Sequence, residues 1–292
     1  LPRRHLTSVL LRREGGLFLF DCGEGTQVSL RRLNLRWKKI SAIFVSHTHA
    51  DHVTGIPGLL MLSSQVERDE PMYIIGPPRI AEYVQSSMDV LDMYINYEII
   101  VREITEPGVV FEGKDFRVRA FPLWHTKPCY GYTFEEDMRP GEFHPQKAEA
   151  LGIKMGPLWA KLQSGGTVIS GGVEVKPADV MGPPRKGRRF SFITDTRYFD
   201  GIAENVANAD FLVCEGMFER ALVEDAHEKG HMTAEQAARV ALDANVKKMA
   251  LIHYSPRYND YELGTLLKEA QAVFPRTILS HDRSVHAIDY ED

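Results

Sequence analysis

Nine short apolar runs punctuate the chain, at 17–21, 42–46, 72–75, 116–124, 130–134, 190–194, 211–214, 249–252 and 277–279. Several, such as Ala42-Ile43-Phe44-Val45 and Phe211-Leu212-Val213-Cys214, are continuous, the pattern of strands buried on both faces rather than half exposed. Between them, apolar residues recur at helical spacing over 26–33, 55–64, 80–91, 233–244 and 261–272. The fourth of these opens on Thr233 with Gln236 three positions on, a capping box. Strand and helix alternate in both halves, which predicts a layered α/β fold. No repeat and no linker divides the sequence, so residues 1–292 are expected to form a single domain.

Residues 138–189 break this rhythm. The stretch is rich in Gly, Pro and Lys, with brief apolar pieces such as Pro157-Leu158-Trp159 and almost no sustained periodicity. Long irregular excursions in compact domains are usually functional or disordered. The stretch reads as an insertion that leaves the core.

Composition adjusts the picture only slightly. Hydrophobic residues make up 43% of the 292 and charged residues 26%, as in ordinary globular proteins. No apolar stretch approaches the roughly 18 residues of a membrane-spanning helix. The opening LPRRHLTSVLL lacks the continuous apolar segment and small-residue cleavage site of a secretory signal. The chain is therefore expected to be soluble and cytoplasmic, away from membranes; lacking an initiator Met, it is expected to begin downstream of its natural start. Cys22, Cys129 and Cys214 are odd in number, widely spaced and free of C-x-x-C patterns, which argues against disulfides or a thiolate metal site and fits a reducing compartment. The net charge of −5 discourages a nucleic-acid partner. Local clusters count for more in phosphate binding, however, and three exist: Arg3/Arg4 with Arg12/Arg13, then Arg31/Arg32/Arg36/Lys38/Lys39, then Arg185/Lys186/Arg188/Arg189.

The densest chemistry lies in SHTHADHVTG, residues 46–55, where His47, His49, Asp51 and His52 follow an apolar run. In a loop leaving a strand, His47 and His49 alternate and point the same way, while Asp51 and His52 turn into the following helix. Imidazole and carboxylate at this density suit zinc or another borderline divalent ion. Four side chains from one loop do not fill two coordination shells, so further ligands are expected at other strand ends. His125, Asp195 and His253 each sit just past an apolar run.

With these positions, H-T-H-A-D-H resembles the metallo-β-lactamase superfamily, which implies an αβ/βα four-layer sandwich with metals at its edge. More narrowly, FDCGEGTQ (20–27), GIPGLL (55–60), GHMTAEQAA (230–238), HYSPRY (253–258), KMGPLWAKLQSGG (154–166) and GPPRKGR (182–188) resemble the ribonuclease Z family of tRNA 3′-processing endoribonucleases. The similarity runs through nearly the whole chain. It implies two divalent ions, most simply Zn2+: His47, His49 and His125 on one, Asp51, His52 and His253 on the other, and Asp195 between them. A metal-bridged hydroxide would attack the phosphodiester, with Asp51 orienting it or accepting its proton. The implied substrate is precursor tRNA, cut to leave a 3′-hydroxyl on the tRNA and a 5′-phosphate on the trailer.

The resemblance also gives His231 the task of protonating the leaving 3′-oxygen, supported by Glu215. Cys214-Glu215-Gly216-Met217 stands where the family has H-E-A-T, so of that motif only the glutamate is kept. Residues 138–189 would be an inserted tRNA-binding arm with Gly156-Pro157 at its tip, Trp159 packing within it or against RNA, and Lys154, Lys161, Arg185, Lys186, Arg188 and Arg189 meeting phosphates. In a homodimer, each arm would serve the partner's site. Ala50 replaces a more typical glycine, and the family's first strand is expected before Leu1. Another binuclear phosphodiesterase or ester hydrolase of the superfamily would share the metal residues but need no arm. A non-catalytic RNA-binding relative would have lost a ligand, and every ligand position is filled. Cys22, His5, His144, His227, His281 and His286 receive no role.

Overall fold

The apolar runs assemble into two sheets. The computed structural model describes residues 4–66 and 68–291, and Arg3 of the first basic cluster lies outside them. The first sheet has the order β1 (Val9–Arg13), β2 (Gly16–Phe20), β3 (Ile40–Phe44), β4 (Met72–Gly76) and β5 (Ile99–Glu103). Strands β2 to β5 are parallel, and β1 closes one edge as an antiparallel hairpin with β2. Helices α1 (Thr26–Arg32), α2 (Ala50–Val53), α3 (Ile56–Ser64) and α4 (Ile80–Val90) connect them. Next along the chain come β6 (Gly108–Glu112), β7 (Phe116–Trp124) and β8 (Pro128–Glu136). After a small hairpin, β9 (Val168–Ser170) and β10 (Val173–Val175), follow β11 (Arg189–Ile193), β12 (Phe211–Glu215), β13 (Met249–Ile252) and β14 (Thr277–Leu279). The second sheet is ordered β14-β13-β12-β11-β8-β7-β6, with β11 to β14 parallel.

Alternation along buried strands builds the layers. In β2, Phe18 and Phe20 meet Phe44 and, from the second sheet, Tyr132, Phe134, Phe190 and Phe192 in an aromatic core; Phe20 stacks on Phe44 at 5.2 Å. Leu17 and Leu19 turn the other way, onto Leu30 of α1, Leu59 and Leu60 of α3, and Val84 of α4. The outer face of the second sheet is covered by α10 (Ala234–Asp243) and α11 (Leu263–Val273), with Leu212, Cys214, Met249 and Leu251 against Ala237, Ala241 and Leu266. Helix, sheet, sheet and helix follow one another. Each large apolar side chain so buried contributes on the order of 1.5–3 kcal/mol. Thr233 caps α10 as expected: its hydroxyl accepts the Gln236 N–H at 3.2 Å, and Gln236 Oε1 accepts the Thr233 N–H at 2.9 Å. Helices α8 (Ile202–Asn205) and α9 (Val223–Lys229) complete this half. Among the described residues, no helix is long and apolar enough to cross a membrane.

The chain divides into two compact units, one within Leu1–Glu135 and Arg189–Ile288, the other within Glu136–Arg188 and Asp289–Asp292. The second unit has regular structure where periodicity gave no sign of it. Helices α5 (Pro145–Ala150), α6 (Pro157–Gln163) and α7 (Pro177–Val180) join the β9–β10 hairpin around Ala148, Ile153, Leu162, Val168, Val175 and Val180. Each of these helices starts on proline, whose fixed φ and missing N–H suit the first turn. Near the chain's end Tyr290 lies between the guanidinium groups of Arg139 and Arg188, 3.6 and 4.0 Å from the ring centroid.

Candidate metal centre and active site

Five strand ends deliver the site. Past β3 the chain runs Val45-Ser46-His47, then His49 precedes α2, whose first turn carries Asp51 and His52. His125 follows β7, Asp195 follows β11, Glu215 ends β12 and His253 follows β13. His253 takes a left-handed backbone, φ 57, uncommon for a residue with a Cβ and frequent at functional sites.

Three groups of ligand atoms converge among the described residues. His47, His49, His125 and Asp195 form the first; Asp51, His52 and His253 form the second; Asp195 and His253 recur with His231 in a third. His49 Nδ1 lies 2.8 Å from His47 Nε2 and 3.2 Å from His125 Nε2. The two oxygens of Asp195 part between the first two groups: Oδ2 is 3.7 Å from His47 Nε2 and 3.8 Å from His125 Nε2, whereas Oδ1 is 3.4 Å from both His52 Nε2 and His253 Nε2. Asp51 Oδ2 also lies 3.4 Å from each of the latter two rings.

The outward nitrogens fix the tautomers. His125 Nδ1 donates to the Gly230 carbonyl at 2.9 Å, and His52 Nδ1 donates to Asp21 Oδ2 at 2.7 Å. The Ser46 hydroxyl donates to Asp21 at 2.8 Å and so accepts from His47 Nδ1 at 3.0 Å. In the neutral rings of His47 and His125 the Nε2 atoms then carry lone pairs, pointed at His49. Burial pushes His47 down to about 2, with the charge of His52 adding to it, and burial also lowers His125 and His49. Burial opposes charge on His52 as well, but Asp21 and Asp195 outweigh it and raise its pKa well above the usual range. Asp195 and Asp51 are depressed against their burial, the first by His253 and His52, the second by the hydrogen bond from His253 and by the nearby His52. Buried His52 Nε2 and His253 Nδ1 have no hydrogen-bond partner. Convergent lone pairs, clustered carboxylates and an orphaned inward nitrogen fit divalent cations: the donor set of imidazole and carboxylate is that of zinc and its neighbours.

His231 stands beside this cluster. Its Nδ1 donates to Glu215 Oε1 at 3.2 Å, and its Nε2 lies 4.0 Å from Asp195 Oδ2. Burial works against a charge on His231, but Glu215, helped by their hydrogen bond, outweighs it and raises the pKa; burial raises Glu215 in turn. Glu215 is fully buried and its Oε1 also accepts the Thr196 N–H at 2.7 Å, so the H-E-A-T departure leaves the glutamate in contact with the histidine.

Asp21 escaped the sequence reading. Wholly buried and at φ 59, it accepts the Ser46 N–H at 2.7 Å and anchors both Ser46 and His52. Its signal was the one used for Asp195, an acid closing an apolar run. Gly230 opens the GHMTAEQAA stretch. It has φ 74, and a Cβ there would lie 2.8 Å from His125 Nδ1.

In the second unit, Gly156 precedes Pro157 at the start of α6, and both are exposed, as are Lys154 and Lys161. Trp159 packs at 5.0 Å from Phe143 and its Nε1 donates to the Ile153 carbonyl, so its polar atom is engaged inside the unit. Arg188 makes a forked pair with Glu136, 3.0 and 2.7 Å, and Arg185 Nε donates to the Pro140 carbonyl at 3.2 Å. Lys186 is exposed. Arg189 belongs to β11 and pairs with Glu135 at 3.2 Å.

Residues 3–139 match the family model described as Anti-Pycsar protein Apyc1, and 172–254 match that of a beta-lactamase superfamily domain. Ribonuclease Z of Treponema denticola is 68% identical over 293 residues, covering all of this chain and 95% of that protein. The chain belongs to the ribonuclease Z family. Ribonuclease Z of Borrelia hermsii is 42% identical over 282 residues, 94% of this chain and 88% of that one. The crystal structure of human tRNase Z, short form, has a TM-score of 0.72 at 25% identity, covering 99% of this chain and 95% of that chain. As a member of the ribonuclease Z family the protein is a nuclease of metallo-β-lactamase fold, a hydrolase of phosphodiester bonds, and the four-layer sandwich expected from the resemblance is the one observed.

Proposed function

We propose that the protein removes the 3′ trailer from precursor tRNA by hydrolysing one phosphodiester, leaving a 3′-hydroxyl on the tRNA and a 5′-phosphate on the trailer. The observation that carries this reading is the division of the two Asp195 oxygens between two groups of inward histidine nitrogens, in a chain of the ribonuclease Z family. His47, His49 and His125 would hold one divalent ion, Asp51, His52 and His253 a second, both zinc, with Asp195 shared. Two such ions, when bound, neutralise charge on the phosphodiester and lower the pKa of a water between them.

The chain's own residues do the rest. Asp51, whose Oδ2 lies 3.4 Å from the Nε2 atoms of His52 and His253, would orient the attacking water and accept its proton. His231, its pKa raised and its ring oriented through Nδ1 by Glu215, would donate from Nε2 to the leaving 3′-oxygen; such general acids contribute about 10²–10⁴-fold. Lys154, Gly156, Pro157, Trp159, Lys161, Arg185, Lys186 and Arg188 belong to the arm that binds the tRNA body through its shape and phosphates, and Arg189 of β11 adds positive charge for the same backbone. A homodimer, in which each arm serves the partner's site, and a reducing cytoplasm, in keeping with three buried free thiols, complete the proposal.

The test incubates zinc-loaded protein with a 3′-extended precursor tRNA and with bis-p-nitrophenyl phosphate, and maps the RNA ends. Cleavage beside the discriminator base with the stated ends supports the reading. Hydrolysis of the small diester alone keeps the chemistry and overturns the substrate; another binuclear phosphodiesterase or ester hydrolase of the superfamily is then the description.

A further inference from the structure

Beside the candidate site lies an aromatic pair that the reaction above does not use. Trp124 ends β7 and immediately precedes His125, yet it is 56% exposed. Its ring stacks on Phe199 with centroids 5.3 Å apart and planes 11° from parallel. Phe199 is seated against the apolar core, so it backs the tryptophan from the protein side. Trp124 is tied through its backbone to the turn that follows Asp195. The Trp124 N–H donates to Thr196 Oγ1 at 3.0 Å, and the Arg197 N–H donates to the Trp124 carbonyl at 2.9 Å. Thr196 is itself the residue after Asp195 and donates its N–H to Glu215. Arg197 has a buried Nε without a hydrogen-bond partner.

We propose that Trp124, backed by Phe199, is a stacking platform for one nucleobase of the RNA next to the scissile phosphate, with Arg197 supplying positive charge to that nucleotide's phosphate. This rests on the RNA-substrate reading given above. The occupant follows from chemistry. A flat ring backed by Phe199 and one residue from a candidate metal ligand suits a strand bound at that ligand, and single-stranded RNA is gripped by stacking bases on aromatic side chains beside cationic ones. A lone exposed tryptophan needs no explanation. A tryptophan stacked on Phe199 and hydrogen-bonded through its backbone to the turn after Asp195 does.

The experiment compares zinc-loaded wild type, Trp124→Ala and Trp124→Phe on intact precursor tRNA and on two precursors lacking the base on one or the other side of the cleaved bond. Melting temperatures check the fold, and sedimentation checks the assembly. Trp124→Ala should lower kcat/KM on the intact precursor by about 5- to 150-fold, the range for one stacked base. Trp124→Phe should keep most of the rate. On one of the two abasic precursors, wild type should fall by a similar factor and Trp124→Ala no further. Equal rates for wild type and Trp124→Ala on intact RNA overturn the platform alone, as does an unchanged ratio on both abasic precursors. Loss of a multimer in Trp124→Ala without that base-specific pattern assigns the ring to a contact between copies and overturns it too. If wild type cleaves none of the precursors, the RNA reading fails and takes the platform with it.

Discussion

Gly230→Ala reaches the metal centre through a residue that would hold no metal. Gly230 has φ 74, in the left-handed region, where a residue with a Cβ costs about 1–2 kcal/mol. At about 2.1 cal/mol/K of unfolding entropy per residue over 292 residues, that is a fall of roughly 2–3 °C in melting temperature. The added Cβ would also stand 2.8 Å from His125 Nδ1, against a ring fixed by its hydrogen bond to the Gly230 carbonyl at 2.9 Å. Ring or backbone must shift, and either loosens the bond that orients Nε2. Losing such an outer partner costs about 10- to 100-fold in metal affinity. Gly201→Ala is the control, because Gly201 has φ 88 with nothing within 4 Å of the new Cβ, so it carries backbone strain alone. Melting of the metal-free proteins and competition with a zinc-binding dye read the two effects. Gly230→Ala should lose stability and affinity, Gly201→Ala stability only. Zinc affinity of Gly230→Ala within twofold of wild type would refute the reasoning.

Glu215→Gln removes the charge that raises His231 against its burial; the acid form, present below that pKa, is then lost at lower pH, and the alkaline limb of kcat for precursor cleavage should move to lower pH, an unchanged profile counting against the pair. Asp21→Asn deprives His52 Nδ1 of its carboxylate and should weaken zinc binding by about 10- to 100-fold in the dye competition, whereas affinity within twofold would show the contact to be dispensable. Replacing exposed Lys154 and Lys161 together by Glu should reduce precursor affinity and make the slope of log affinity against log salt shallower by about 1–2; the same slope as wild type would mean that neither lysine meets phosphate.

Legibility followed burial. Parallel strands covered on both faces, such as β3 and β12, stand out as uninterrupted apolar runs, and every proposed ligand outside the 47–52 loop was found by looking just past one of them. Strands β1, β5 and β6 were missed because their segments, VLLRR, IIVRE and GVVFE, mix charges into edge or partly exposed positions. The helices of the second unit are four to seven residues long, too short to establish a 3.6-residue period, and its core draws on residues at irregular spacing. Asp21 obeyed the strand-end rule but stood apart from any histidine in sequence. Its role exists only through contacts with Ser46 and His52, 25 and 31 positions away. The pairing of Trp124 with Phe199 is equally invisible in one dimension.

Zinc titration of metal-free protein decides whether the site holds two ions joined by one carboxylate. Wild type should bind two equivalents per chain and Asp195→Ala one or fewer, with precursor cleavage lost in that variant. A wild type that saturates with a single equivalent while cleaving precursor at its full rate would contradict the two-ion site.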